Sequence, residues 1–161
     1  MANGAVRAWH AFCDGGLQPT SCCDRRCGPL SYVGHHQPVV VDEPPHLFGE
    51  DTAPAPGEIV LAALGGCLAV GITAVATARK VALSKLELFT EGDIGNPAAW
   101  GAGGAQMEPA MMGFQAIRVR VVVEGDAARE DLDAIVRHAN FYSPVANSMR
   151  NLIPFEIALQ D

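Results

Sequence analysis

The chain has 161 residues, 18 of them acidic and 11 Lys or Arg, giving a formal net charge of −7 and a sequence pI near 5.1. That length suits one domain with its own core, and an acidic balance with no basic run longer than Arg25-Arg26 argues against a nucleic-acid partner. The opening MANGAVRAWHAFCDGG shows neither a charged leader nor a small-residue cleavage site, so the expected compartment is the cytoplasm, where its five cysteines are mostly reduced; their odd number argues against a complete disulfide framework.

In chain order, AVRAWHAF (5–12) and PVVVDE (38–43) read as strands closed by Gly or Pro. Between them, FCDGGLQPTSCCDRRCGPL (12–30) carries Cys13, Cys22, Cys23 and Cys27, with His10 before it and His35-His36 after it. Ile59 to Ala78 hold no charge and are long enough to span a membrane. They are dominated by Ala and Gly, lack aromatic belts and form the single such segment, so no membrane partner is expected. A core helix is predicted instead. Pro54 and Pro56 mark its start, Glu58 suits its positive end and Arg79-Lys80 its negative end. Gly65, Gly66 and Gly71 each cost a helix up to about 1 kcal/mol relative to Ala. That cost is usually tolerated where another backbone comes close, so helical neighbours are expected on several sides.

Farther on, SKLELFTEGDI (84–94) and FQAIRVRVVVEG (114–125) alternate apolar and polar residues as half-buried antiparallel strands do. The Gly/Ala/Met-rich stretch between them (95–113) is too long for a simple connection. It reads as a flap, with Trp100, Met107, Met111 and Met112 lining an apolar pocket or loosely covering a core edge. DAAREDLDAIVRHANFY (126–142) is an amphipathic helix opened by Asp126, with His138 packed in its last turns. Ser143 as N-cap and Pro144 at N1 start a short helix over 143–151. LIPFEIAL (152–159) is expected as a last strand. The grouping predicts an α+β fold.

Two stretches, VVVDEPPHLFGEDTAPAPGEIVLAALGGCLAVG (39–71) and HANFYSPVANSMRN (138–151), resemble the OsmC/Ohr family of thiol-dependent peroxidases. The resemblance covers roughly 37–161 of what is expected to be a single domain, and 1–36 is a divergent Cys-rich segment. It implies a two-sheet fold with long central helices, an intertwined homodimer and active sites at the subunit interface. It also implies that Cys67 is the nucleophile, attacking as the thiolate because the thiol attacks O–O bonds poorly. Cys67 is too far into its helix for the macrodipole alone to hold that charge. The family supplies an Arg from an N-terminal strand, for which Arg7 ranks first, ahead of Arg25 and Arg26; Arg150, beside the second helical segment, is an outside candidate.

Two positions depart from the family pattern. Typical members carry a second cysteine where this chain has Ser143-Pro144. A hydroxyl cannot attack a sulfenic acid to close a disulfide, so Ser143 is either a catalytic-site residue in another role or a helix cap. Typical members also place an acid directly after the helix-starting Pro; here that place is Gly57. The acid follows at Glu58, about 100° around the helix, as a catalytic partner or as first-turn electrostatics.

Three functions are compatible with these readings. The first is a thiol-dependent antioxidant, stress-response enzyme in which Cys67, Arg7, Glu58 and Ser143 form the site. It would act on an organic hydroperoxide or another electrophilic small molecule with no bound cofactor, and an external thiol or an N-terminal cysteine would regenerate it. The second is a non-redox binding module with an interfacial pocket. The third is a zinc-binding variant using Cys22, Cys23 and Cys27, although their spacing matches no familiar finger.

Overall fold

The computed structural model describes residues 39–47, 49–95 and 112–159, together with the backbone of 5–8. Helix α1 (Pro56–Ala78) begins with Pro56 in its first turn, where a missing N–H costs nothing. Glu58 Oε2 accepts the Ala55 amide at 3.0 Å, which satisfies a donor that the helix leaves open. At the other end the Lys80 amide donates to the Thr77 carbonyl at 3.0 Å and the Val81 amide to the Ala76 carbonyl at 2.9 Å, with Lys80 at φ 60°. This is a Schellman stop built on Lys rather than Gly.

The chain then enters β2 (Leu83–Ile94), which pairs antiparallel with β3 (Phe114–Gly125) on one side and β1 (Ala5–Ala8) on the other. The register sets Leu88 opposite Val121 and Arg7 opposite Glu91. Helices α2 (Arg129–Tyr142) and α3 (Pro144–Arg150) complete the element order. Leu64, Leu68, Ile72 and Ala76 of α1 form the core with Leu88, Ile135, Ala139 and Ala146. Burying each Leu or Ile contributes about 1.5–3 kcal/mol. Although α1 is long and apolar enough to cross a membrane by length and composition, its Leu64, Leu68 and Ile72 are buried in this core, while Val60 and Val70 stand exposed. The α+β architecture matches the expectation from sequence.

Several local expectations change. Helix α2 starts at Arg129 rather than at Asp126. Asp126 instead ties the end of β3 to the entry of β2, its Oδ1 accepting the Ala82 amide at 2.8 Å and its own amide donating to the Ala82 carbonyl at 3.1 Å. Residues 40–43 are not a strand, and Val39 makes a lone bridge. The Asp42 carboxylate competes for the local backbone: it accepts the amides of Glu43 (2.8 Å), Glu50 (3.2 Å) and Thr52 (2.9 Å), and the Thr52 hydroxyl (2.7 Å). A side chain that satisfies these donors folds the chain into a loop.

Residues 152–159 have no regular structure, and Leu152, Phe155, Ile157 and Leu159 stand exposed. Their apolar sequence suits a strand, but a strand exists only against a neighbour. Among the described residues this chain offers them none. The flap expected over 95–113 lies mostly outside the described residues; its base is closed by the Gly95 amide donating to the Gly113 carbonyl at 3.0 Å.

The donors around Asp42 hold its carboxyl down from 3.8 to about 2, the Thr52 amide contributing most. Because the folded value is the lower one, the stabilisation is present above about pH 4 and disappears as pH falls towards about 2. Hydrogen-exchange protection of the Glu50 and Thr52 amides is expected to fall in that window, and to be weak already at pH 6 in Asp42→Asn.

Candidate functional site

Cys67 lies near the middle of α1, half-buried and unbridged. Its Sγ is 3.2 Å from Ser143 Oγ, a residue 76 positions away in sequence. Ser143 comes directly after the last turn of α2 and precedes Pro144. At this junction its side chain accepts the Ala146 amide at 3.2 Å, so it is the N-cap of α3 as the sequence suggested. Ser143 is only 4% exposed, and its oxygen thus serves two partners in a nearly closed space.

The approach of these two atoms is set one helical turn away. A Cβ built on Gly71 would stand 3.3 Å from the Ala139 Cβ and 3.8 Å from its Cα, so hydrogen on one helix and methyl on the other bring the backbones together. Gly71 is four residues after Cys67, and Ala139 four before Ser143. Residues four apart share a helix face, so the antiparallel pairing that joins Gly71 to Ala139 also joins Cys67 to Ser143. The expectation of a close neighbour is met at Gly71. Beside Gly65 a built Cβ would meet Thr90 Cγ2 at 3.4 Å, and beside Gly66 it would meet nothing within 4 Å.

Of the other site residues named from sequence, Arg150 and Glu58 bond elsewhere among the described residues. The Arg150 guanidinium donates to the Asn140 carbonyl at 3.3 Å, to Asn140 Oδ1 at 2.6 Å and to Asn147 Oδ1 at 3.2 Å, which staples α2 to α3. Glu58 uses a carboxylate oxygen as a cap for the start of α1. A Cβ on Gly57 would touch Ile94 Cδ1 and Phe114 Cζ at 3.6 Å each, so that position faces an apolar sheet end. The Arg7 backbone pairs across from Glu91, and its side chain lies outside the described residues, as do Arg25, Arg26 and the cysteines Cys13, Cys22, Cys23 and Cys27. Among the described residues, Cys67 hydrogen-bonds to Ser143 and to no guanidinium, and no group of three His, Cys, Asp or Glu side chains could hold a metal.

Charge concentrates elsewhere, on the sheet. Arg118 reaches Glu91 Oε1 at 2.8 Å and Asp93 Oδ1 at 2.7 Å. These bonds raise the Arg118 pKa, and the Arg118 guanidinium in turn holds the Asp93 carboxyl below its ordinary value. A largely apolar cleft of about 710 Å³ is lined by Leu64, Leu68 and Ile72 with Ile117, Val119 and Arg150; Cys67 and Ser143 do not line it. The Cys67-Ser143 contact had a partial signal in sequence, the Ser-Pro cap. The Gly71-Ala139 contact that produces it had none beyond the glycine itself.

An α+β fold that sets a mid-helix thiol against the junction of two later helices defines a class of small thiol-bearing proteins. The family described as OsmC-like protein matches residues 49–158, and the chain belongs to it. No curated protein matches in sequence. An OsmC-like protein from Mycoplasma pneumoniae superposes with a TM-score of 0.60 at 13% identity, over 74% of this chain and 77% of the other. The organic hydroperoxide resistance protein OsmC from Legionella pneumophila gives 0.50 at 20% identity, over 71% and 74%. A putative organic hydroperoxide resistance protein from Vibrio cholerae gives 0.51 at 23% identity, over 71% and 70%. At these identities the likeness to solved structures is one of fold.

Gly71→Leu tests the packing argument. It is expected to lower stability in urea unfolding by about 1–3 kcal/mol through overpacking of α1 against α2. Conservative changes at exposed sites of the same helix should stay within about 0.5 kcal/mol.

Proposed function

We propose that the protein is a thiol-dependent peroxidase or reductase in which Cys67 attacks an organic hydroperoxide or a related electrophilic small molecule. The observation that carries this reading is the placement of Cys67, within an OsmC fold, half-exposed and hydrogen-bonded to a buried hydroxyl. In the first step the thiolate attacks one peroxide oxygen, the O–O bond breaks and an S–O bond forms. The alkoxide leaves and takes up a proton to become the alcohol. Sulfur is oxidised by two electrons and the peroxide is reduced. A low-molecular-weight thiol of the cytoplasm, or an N-terminal cysteine, then returns Cys67 to the thiol through a mixed disulfide. The cation for the thiolate is assigned to Arg7, from the strand beside β2. No cofactor takes part.

The functional unit in this reading is a homodimer. Ala62, Val70, Thr73 and Thr77 succeed one another at helical spacing along α1 and are exposed, Val70 at 69%. The exposed apolar run 152–159 adds a second such surface, and a second copy of the chain would cover both.

A second reading, a small-molecule binding module without redox chemistry, is favoured by the apolar cleft and by the absence of a guanidinium on Cys67 among the described residues.

Stopped-flow oxidation by cumene hydroperoxide separates the two. Fast, saturable oxidation that is lost in Cys67→Ser supports the enzyme. Oxidation no faster than that of free cysteine, together with thermal stabilisation by apolar ligands, supports the binding module. Light scattering on the purified protein is expected to give twice the chain mass, and Val70→Arg is expected to shift it towards the monomer; a wild-type monomer at micromolar concentration would remove the dimer from the proposal.

A further inference from the structure

We propose that Ser143 is itself a catalytic residue, donating a hydrogen bond to the sulfur of Cys67 and leaving the oxidised sulfur as a sulfenic acid for an external thiol. This rests on the reading of Cys67 as the nucleophile. Either atom could donate in the neutral pair; ionisation of Cys67 fixes the direction of the bond. Ser143 Oγ already accepts the Ala146 amide at 3.2 Å, and a thiolate has lone pairs but no proton. With Cys67 ionised, the hydroxyl hydrogen is therefore the one that lies between Oγ and Sγ, across 3.2 Å. Hydrogen bonds to an ionised acceptor are stronger than those between neutral groups, and burial strengthens them further. Ser143 is 4% exposed, so water competes poorly for its proton. Its cap bond to Ala146 keeps the oxygen from rotating away, and the Gly71-Ala139 contact holds the two helices at this spacing.

The same position decides the fate of the oxidised sulfur. A thiol placed there would attack the sulfenic sulfur, form an S–S bond and release water. A serine hydroxyl does not carry out that step. The sulfenic acid on Cys67 instead waits for a small thiol, RSH. Attack by RSH forms the mixed disulfide and releases water; a second RSH then displaces the Cys67 thiolate and leaves RSSR, so that two thiols are oxidised for each peroxide reduced.

Two measurements test the proposal. The first tracks alkylation of the Cys67 peptide by iodoacetamide at pH 7, read by mass spectrometry. Ser143→Ala is expected to slow it about tenfold, the value of a hydrogen bond to a charged group, and Ser143→Thr, which keeps the hydroxyl, to stay near wild type. Loss of a mere structural cap would loosen α3 and speed alkylation, so an unchanged or faster rate in Ser143→Ala overturns the donor role. Should Ser143→Ala not fold, the pH dependence of wild-type alkylation decides the donor role, which a rate rising only around pH 8.5, as for an unassisted thiol, overturns; the second measurement tests the fate of the oxidised sulfur. With one equivalent of cumene hydroperoxide, wild type is expected to give a dimedone adduct on Cys67, and Ser143→Cys a Cys67 disulfide at position 143 with no adduct. A rapid disulfide from Cys67 to another cysteine in wild type, without an adduct, overturns the one-cysteine cycle. If peroxide leaves Cys67 untouched in every variant, the proposed peroxidase function fails, and the alkylation rates still decide whether Ser143 supports the thiolate.

Discussion

The contact between Gly71 and Ala139 is the constraint on which the candidate site depends. Two helices meet where neither carries more than a methyl group, and the 3.3 Å that a Cβ on Gly71 would leave shows how little room remains. The interhelical spacing is set by that minimum. One turn along, the same spacing holds a sulfur and a hydroxyl 3.2 Å apart. A helix accepts a glycine at its centre at a cost of about 1 kcal/mol, and here the glycine permits a close approach that a larger side chain would block. Packing and chemistry are therefore linked by geometry rather than by any charge.

Charge is arranged around this centre. Arg118 is held between Glu91 and Asp93 on the sheet, Arg120 lies 4.2 Å over the Phe89 ring, and Arg150 bridges the ends of α2 and α3. Each of these guanidiniums is occupied by local partners. The core between them is built from Leu, Ile and Ala, with Thr90 and Ser143 as its buried polar side chains among the described residues. In such surroundings a single well-aimed hydroxyl has more electrostatic effect than it would in water, which is the physical basis for giving Ser143 a chemical role as well as a capping one.

The expectations that failed share a cause. Periodicity reports which faces of a segment are apolar, and it does not report whether a partner is present. Residues 152–159 alternate as a strand would and find no edge among the described residues. Residues 40–43 carry the β-branched residues of a strand, yet four hydrogen bonds to one carboxylate settle them as a loop. Asp126 has the identity of a helix cap and serves the strand entry instead. In each case a polar side chain or a missing neighbour outweighed a local preference worth a few tenths of a kcal/mol per residue.

Local chemistry was enough to determine the α+β class, the long apolar helix with its Pro start and basic end, the two long strands and the Ser143 cap. These arise from periodicity, capping and turn preferences that act within a few residues, so they are written in the chain itself. Cys67 was singled out by the resemblance to a family rather than by its own surroundings. Tertiary structure alone decided that Cys67 meets Ser143, that Gly71 packs against Ala139, and that Gly57 faces Ile94 and Phe114. Those pairings join residues or surfaces whose meeting depends on how closely two helices or a helix and a sheet pack. That distance is fixed by side chains in contact across the fold, and no window along one strand of sequence contains both of them.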